Sequence, residues 1–167
     1  IEIYDRRDKA LRRLVNQASR FDTKTLILFN FIERHGDILH KMLLEQCEAA
    51  GKVVYYIHGG VKTKERERIR KLMETRDDII ALANYGVMST GVSVKSIRHI
   101  FFGHPFKARI KNLQSIGRGL RLKKGKTEAI LHDYGDDFCF TPRTAEKKNH
   151  LFKHFVKRLE IYAEEEF

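Results

Sequence analysis

The chain has 167 residues, 42% of them hydrophobic, which excludes a disordered tail and suits one compact domain able to bury its own core. Lysine and arginine outnumber aspartate and glutamate, 33 to 22, for a net charge of +11. That surplus suits a polyanion partner, through counterion release from phosphates, and equally a plain basic surface in water. It is spread along the chain, which fits a groove or a face better than a basic arm.

Residues 4–19 carry Leu11, Leu14, Val15 and Ala18 on one stripe, which predicts a helix. Asp22-Thr23-Lys24 breaks it. Thr25-Leu26-Ile27-Leu28-Phe29 is then a short apolar run, as expected of a strand buried on both faces. Residues 34–50 place Ile38, Leu39, Met42, Leu43 and Gln46 at helical spacing, with Gly51 as the helix stop. Val53-Val54-Tyr55-Tyr56-Ile57 predicts a second strand, followed by a His58-Gly59-Gly60 loop and a highly charged helix over 63–75. Ile79-Ile80-Ala81-Leu82-Ala83 and His99-Ile100-Phe101-Phe102-Gly103 predict two more strands, residues 108–120 a helix, and residues 128–132 a fifth strand. Residues 143–163 predict a last amphipathic helix through Leu151, Phe152, Phe155, Val156, Leu159 and Tyr162. Short apolar strands alternating with helices predict an α/β fold, a mostly parallel central sheet with helices on both faces. Function in such sheets collects in loops at the carboxyl ends of the strands, which here begin at Asn30, His58, Asn84 and His104.

Residues 114–121 read Gln-Ser-Ile-Gly-Arg-Gly-Leu-Arg. On a helix Gln114, Arg118 and Arg121 share one face, while Leu113, Ile116 and Leu120 fall on another that can pack on the sheet. Gly117, between them, adds no side chain and lets a partner surface approach. Two guanidinium groups aimed at one spot repel unless an anion lies between them, and phosphate matches their planar forks. A lone RxxR would be an ordinary basic helix face; the glycine, the glutamine and the apolar strand downstream make this pattern far more specific.

This segment resembles motif VI, QxxGRxxR, of the superfamily 2 helicases. Thr25–Phe31 resembles motif IV of that family, Tyr55–Gly60 with the charged helix resembles the next block, and Ala83–Val94 resembles motif V. Tyr85-Gly-Val-Met-Ser-Thr-Gly-Val-Ser93 and Leu131-His-Asp-Tyr-Gly-Asp136 are similar to a phage branch of the superfamily that acts in recombination and at stalled forks. The resemblance implies a RecA-like three-layer sandwich over 23–142, a linker helix over 1–22 from an upstream motor domain, and a C-terminal helix over 143–167. It implies an ATP-dependent DNA helicase for branched DNA or RNA–DNA hybrids, in which Arg118 and Arg121 reach the γ-phosphate of ATP and Arg121 is the finger. Gln114 would help orient them or sense the nucleotide, and Gly91 and Ser93 would face the nucleotide. Asn30, Arg34, His58, Gly59 and Thr90 would touch single-stranded or branched DNA. The chain departs from many relatives in Asn84-Tyr85, where they have Thr, and in Ser93, where they have Asp, so Ser93 brings no carboxylate.

Other patterns carry less. Gly125-Lys126-Thr127 lacks a glycine at 120, where Leu120 stands, and precedes a strand, so it is no phosphate-binding loop. His150 and His154 have zinc-pair spacing with Leu151 where the motif needs Glu, and Asp133, Asp136 and Asp137 fit a turn and helix-capping cluster better than a metal site. The basic residues of 62–71 fit a DNA-facing surface or a solvated helix with ion pairs along its length. Neither a Walker A loop nor a DExx strand is present, so ATP and Mg²⁺ are expected to be held mainly by the upstream domain. Cys47 and Cys139 form no CxxC and no apolar run could span a bilayer, which points to a reduced, cytoplasmic protein without membrane partners, in a phage-infected cell if the phage branch holds. The rival readings are a non-catalytic binding or annealing module that keeps the fold, and a translocase that does not separate strands.

Overall fold

In the computed structural model, which describes residues 2–48, 50–89, 97–103, 117, 128–135 and 150–164, the five apolar runs pair into one sheet. The strands are β1 (Thr25–Phe29), β2 (Val53–Ile57), β3 (Ile79–Asn84), β4 (His99–Phe102) and β5 (Ile130–His132). Their order is β2-β3-β1-β4-β5, and every pairing is parallel. The helices are α1 (Glu2–Arg20), α2 (Asp37–Glu48), α3 (Thr63–Thr75), α4 (Tyr85–Ser89) and α5 (His150–Glu164).

Alternation along the strands sorts the core into two layers. From β1, Leu26 and Leu28 join Ile79, Ala81 and Ala83 of β3 against Ile69 and Met73 of α3, with Tyr162 of α5 packed alongside. Ile27 and Phe29 point the other way, with Ile80, Leu82 and Phe101, against Leu39 and Leu43 of α2 and Leu11, Leu14, Val15 and Ala18 of α1. The helix read from the first stripe is therefore part of the core. All five residues of β1 are buried, each large apolar side chain contributing about 1.5–3 kcal/mol relative to exposure.

Four local readings change. The helix expected over 34–50 begins instead as a π-helical turn, Ile32–Gly36, before α2. The carbonyl of Phe31 accepts the N–H of both His35 (3.1 Å) and Gly36 (3.0 Å), and a Cβ at Gly36 would collide with Phe29 and with the Tyr56 hydroxyl. The buried stripe of α2 continues to Cys47; Gln46 is exposed. Gly51 does end the helix, at φ +64, with the Lys52 N–H reaching back to the Cys47 carbonyl. On α5, Leu159 is 46% exposed and the fully buried position is Arg158. Its guanidinium is held by Asp133, at the exit of β5, through Nε–Oδ2 (2.6 Å) and Nη2–Oδ1 (2.8 Å), and the Tyr162 hydroxyl donates to the same carboxylate (2.8 Å). Asp133 is thus half of a buried ion pair and not a turn cap, because the apolar strand before it carries it inward. The expected helix over 108–120, apart from helical Gly117, and residues 136–149 lie outside the described residues.

His99 and His132 face each other between β4 and β5, Nδ1 to Nε2 at 3.0 Å, with Phe21 stacked on His99 (3.7 Å) and Phe101 on His132 (4.1 Å). Burial, then the field of His99, pushes His132 down to about 4. Burial, then Arg98, lowers His99 against the opposing pull of Glu128. One ring must donate and the other accept, so the accepting ring must be neutral and the pair cannot both be protonated without losing the contact. A folded pKa below the unfolded 6.5 gives stability that is present above pH 6.5 and lost as pH falls toward 4. The thermal midpoint is expected to drop over that interval, and His132→Gln to flatten the drop; equal slopes in the two proteins would remove this pair as the cause.

Candidate nucleic-acid interface

The register brings three strand ends level, since Phe29 lies opposite Asn84 and Ile57 opposite Ala83. From β1 the chain crosses toward β2, whereas from β4 it continues to β5 on the other side, so the topological switch falls between β1 and β4. Gly103 closes this point: its N–H donates to the Leu28 carbonyl at 2.9 Å, and a Cβ there would stand 3.1 Å from that oxygen.

Asn30 and Arg34 come together here. They line an open groove of about 550 Å³ with Phe31, Ile32, Glu33 and Asn84. Asn84 sets its shape: Nδ2 donates to the Asn30 carbonyl (2.5 Å) and Oδ1 accepts the Gly86 N–H (2.8 Å), capping α4. One amide therefore fixes the exit of β1 to the start of the next helix. The departure from Thr noted at this position carries a structural job, and the place expected to open a loop at Asn84 is instead the last residue of β3, with α4 following directly. Asn84 was not among the site residues read from sequence; an Asn directly before a helix, at a strand end, was the available signal.

His58 and Gly59 sit after β2, two strands from Asn30. At about 4.8 Å per strand the two exits are roughly 10 Å apart. Tyr56 anchors this side. Its hydroxyl donates to Asp37 (2.9 Å), its ring lies 4.7 Å from His40 and 4.8 Å from His58, and burial with the Asp37 bond raises its pKa. Burial, against Asp37, lowers the pKa of His40. The Gly60 N–H donates to Nδ1 of His58 (3.2 Å), which leaves Nε2 to carry the proton of the neutral ring. The Gly60 amide is therefore committed to His58. Gly59 is exposed, with space around its Cα.

The charged helix α3 pairs within itself. Arg68 grips Glu65 (2.7–3.1 Å) and Arg70 grips Glu67 (2.6–3.0 Å), both at i,i+3. Arg66 donates to the Val61 carbonyl at 2.8 Å. This is the solvated, paired face weighed against a DNA-facing one; exposed Lys62, Lys64 and Lys71 keep it positive.

Thr90, Gly91, Ser93, Gln114, Arg118 and Arg121, with the basic loop 123–126, lie outside the described residues. Gly117 is helical and exposed, and a Cβ there meets no described atom within 4 Å. Among the described residues no three His, Cys, Asp or Glu are placed to hold a metal ion, and no helix is long and apolar enough to cross a membrane.

A five-stranded parallel sheet in this order, covered by helices on both faces, with its polar groove at the carboxyl edge, defines a RecA-like domain of the helicase type. The chain belongs to the helicase conserved C-terminal domain family, which matches residues 6–123. It is 33% identical over 97% of its length to the ATP-dependent DNA helicase UvsW of Enterobacteria phage T4, and it spans 32% of that relative. The crystal structure of UvsW superposes with a TM-score of 0.70 at 32% identity, over 95% of this chain and 32% of that one. Two further structures share the fold at low identity. The Escherichia coli DEAD-box protein SrmB has a TM-score of 0.57 at 17% identity, over 76% of this chain and 71% of its own. The Type ISP restriction-modification enzyme LlaBIII, bound to DNA, has 0.59 at 12% identity, over 84% and 10%. The resemblance to a phage branch of the helicases is borne out by the UvsW match.

Proposed function

We propose that this domain is the second motor domain of an ATP-dependent DNA helicase acting on branched DNA or RNA–DNA hybrids in recombination and fork repair. What supports the reading is the 33% identity to UvsW across 97% of the chain, with a family match through residue 123 that includes Gln114 to Arg121. Residues 1–22 would join it to a partner motor domain, and residues 143–167 would pack on the body over 23–142. ATP binds in the cleft between the two motors. The partner supplies the phosphate loop and holds Mg²⁺, which neutralises phosphate charge. This chain supplies Arg118 and Arg121 to the γ-phosphate, Gln114 to orient them, and Gly91 and Ser93 beside the nucleotide. Two guanidinium groups bridging to the phosphate draw the cleft shut, and loss of the γ-phosphate releases them.

The nucleic acid lies across the strand exits, on Asn30, Arg34, His58, Gly59 and Thr90. A strand carries one phosphate per about 3.4 Å of duplex axis, so exits roughly 10 Å apart meet about three nucleotides. Backbone contacts of this kind tolerate any sequence and weaken with salt.

The test uses the polypeptide that carries both motor domains with forked DNA. ATP-dependent release of a labelled strand is the expected result. DNA-stimulated ATP turnover without a released strand would mean a translocase instead, and absence of both would mean a binding or annealing module.

A further inference from the structure

The outer face of α3 keeps positive charge that its own ion pairs do not use. Ile69 and Met73 bury the inner face against the sheet. Lys64 and Lys71 fall two turns apart on the opposite side, and both are exposed. The acids of this stretch are already taken, since Arg68 grips Glu65 and Arg70 grips Glu67. Tyr55 of β2 also bonds Arg68, which ties that guanidinium to the sheet. Lys71 lies in the field of Glu67, but Arg70 holds that carboxylate at 2.6 Å. None of the described carboxylates pairs with Lys62, Lys64 or Lys71. Lys62, Lys64, Glu65, Glu67, Arg68 and Lys71 line an open recess of about 510 Å³, four bases against two acids.

The chain places this face beside the strand exits. Only residues 58–62 separate the end of β2 from the start of α3, so Lys62 and Lys64 stand at the same edge of the sheet as His58. β2 is the last strand on that side. A nucleic acid that crosses the Asn30 and His58 exits therefore meets α3 as it leaves the sheet. Lys64 to Lys71 covers about 10 Å of helix axis. At one phosphate per about 3.4 Å along each strand of a duplex, that length faces about three phosphates. Lysines are flexible point charges that bind phosphate without reading a base. No large apolar side chain of α3 is exposed, so the face lacks the centre that a protein interface needs. Residues 62–75 hold no aromatic side chain on which an unpaired base could stack, which favours a duplex over a single strand.

We infer that the outer face of α3, through Lys62, Lys64 and Lys71, holds the phosphate backbone of the duplex arm of a branched nucleic acid. The inference rests on the reading that the strand exits carry the nucleic-acid track. A bare single strand on that track does not use the α3 contact, so these lysines add affinity for a fork over affinity for its single strand alone.

The test uses the polypeptide that carries both motor domains, with a forked DNA and with the isolated single strand of the same sequence, each titrated over a range of salt. Lys62→Gln, Lys64→Gln and Lys71→Gln together are expected to leave single-strand affinity unchanged. On the fork, the slope of log affinity against log salt should become shallower by about 2–3, and affinity at about 0.1 M salt should fall by about tenfold or more. Arg12→Gln, Arg13→Gln and Lys41→Gln remove the same charge from exposed positions on α1 and α2, across the sheet from α3, and should leave the fork slope intact. An unchanged fork slope in the α3 variant overturns the inference. So does an equal loss on fork and single strand, or an equal loss in the α1–α2 variant, since either means a general field. If Arg34→Ala with His58→Ala weakens single-strand binding while the α3 variant behaves as wild type, the duplex face fails and the track stands. If neither set weakens binding to either DNA, the track reading fails as well.

Discussion

Arg121→Ala, in the polypeptide that carries both motor domains, is expected to lower DNA-stimulated ATP turnover by about 10³–10⁵-fold while leaving DNA affinity close to wild type. The size follows from where the charge is needed. An arginine that meets phosphoryl oxygens only as negative charge develops acts on the transition state, so its loss falls on kcat and spares KM for DNA. A thousandfold loss corresponds to about 4 kcal/mol of barrier, more than a surface arginine contributes to anything else. The spacing of Gln114, Arg118 and Arg121 would put them on one face of a helix, so Arg118→Ala should also cost turnover, and the double variant should cost less than the product of the two. Arg121→Lys keeps the charge but not the fork and should recover only part of the rate. Steady-state turnover at saturating single-stranded DNA, with affinity measured separately by anisotropy, decides it. Equal rates for Arg121→Ala and wild type would sink the finger and favour a binding module.

The strands were legible because burial on both faces leaves a plain mark. β1 and β3 are continuous apolar runs, and their observed bounds differ from the reading by at most the single residue Asn84. Gly51 was legible for a similar reason, since a helix end that needs positive φ selects glycine. The π-helical turn was not legible. Ile38, Leu39 and Met42 fit a simple helix from residue 34, and only the three-dimensional squeeze of Gly36 between Phe29 and Tyr56 shows why the extra residue is accommodated. The groove was half legible: Asn30 and Arg34 follow from strand-end position, whereas Asn84 looks like a substitution in a motif. Its role depends on a hydrogen bond between residues 54 apart in sequence, Asn84 to Asn30, which no local pattern announces.

The largest stability effect is expected at a residue whose charge disguised its position. Arg158 falls on the inward face of α5, and an apolar-periodicity reading passes over it in favour of Leu159. Burial alone would disfavour its charge; the hydrogen bonds and field of Asp133 outweigh that and hold its pKa above the usual value. Its guanidinium also lies 5.5 Å from the Phe155 ring centre, and Gly135 leaves room for that ring where a Cβ would strike it. Arg158→Met fills similar space but strands the Asp133 carboxylate, with Tyr162 as its remaining side-chain donor among the described residues. Breaking a buried pair from one side costs about 3–5 kcal/mol. At about 2–4 °C per kcal/mol for a domain of this size, the thermal midpoint should fall by roughly 6–20 °C. Removing both charges, as Arg158→Met with Asp133→Asn, leaves no buried ion and should recover part of the loss, because what is costly is the unpaired charge rather than the missing attraction. A double variant as unstable as the sum of the two single ones would mean that Arg158 holds α5 by packing against Phe155 and not by its pair.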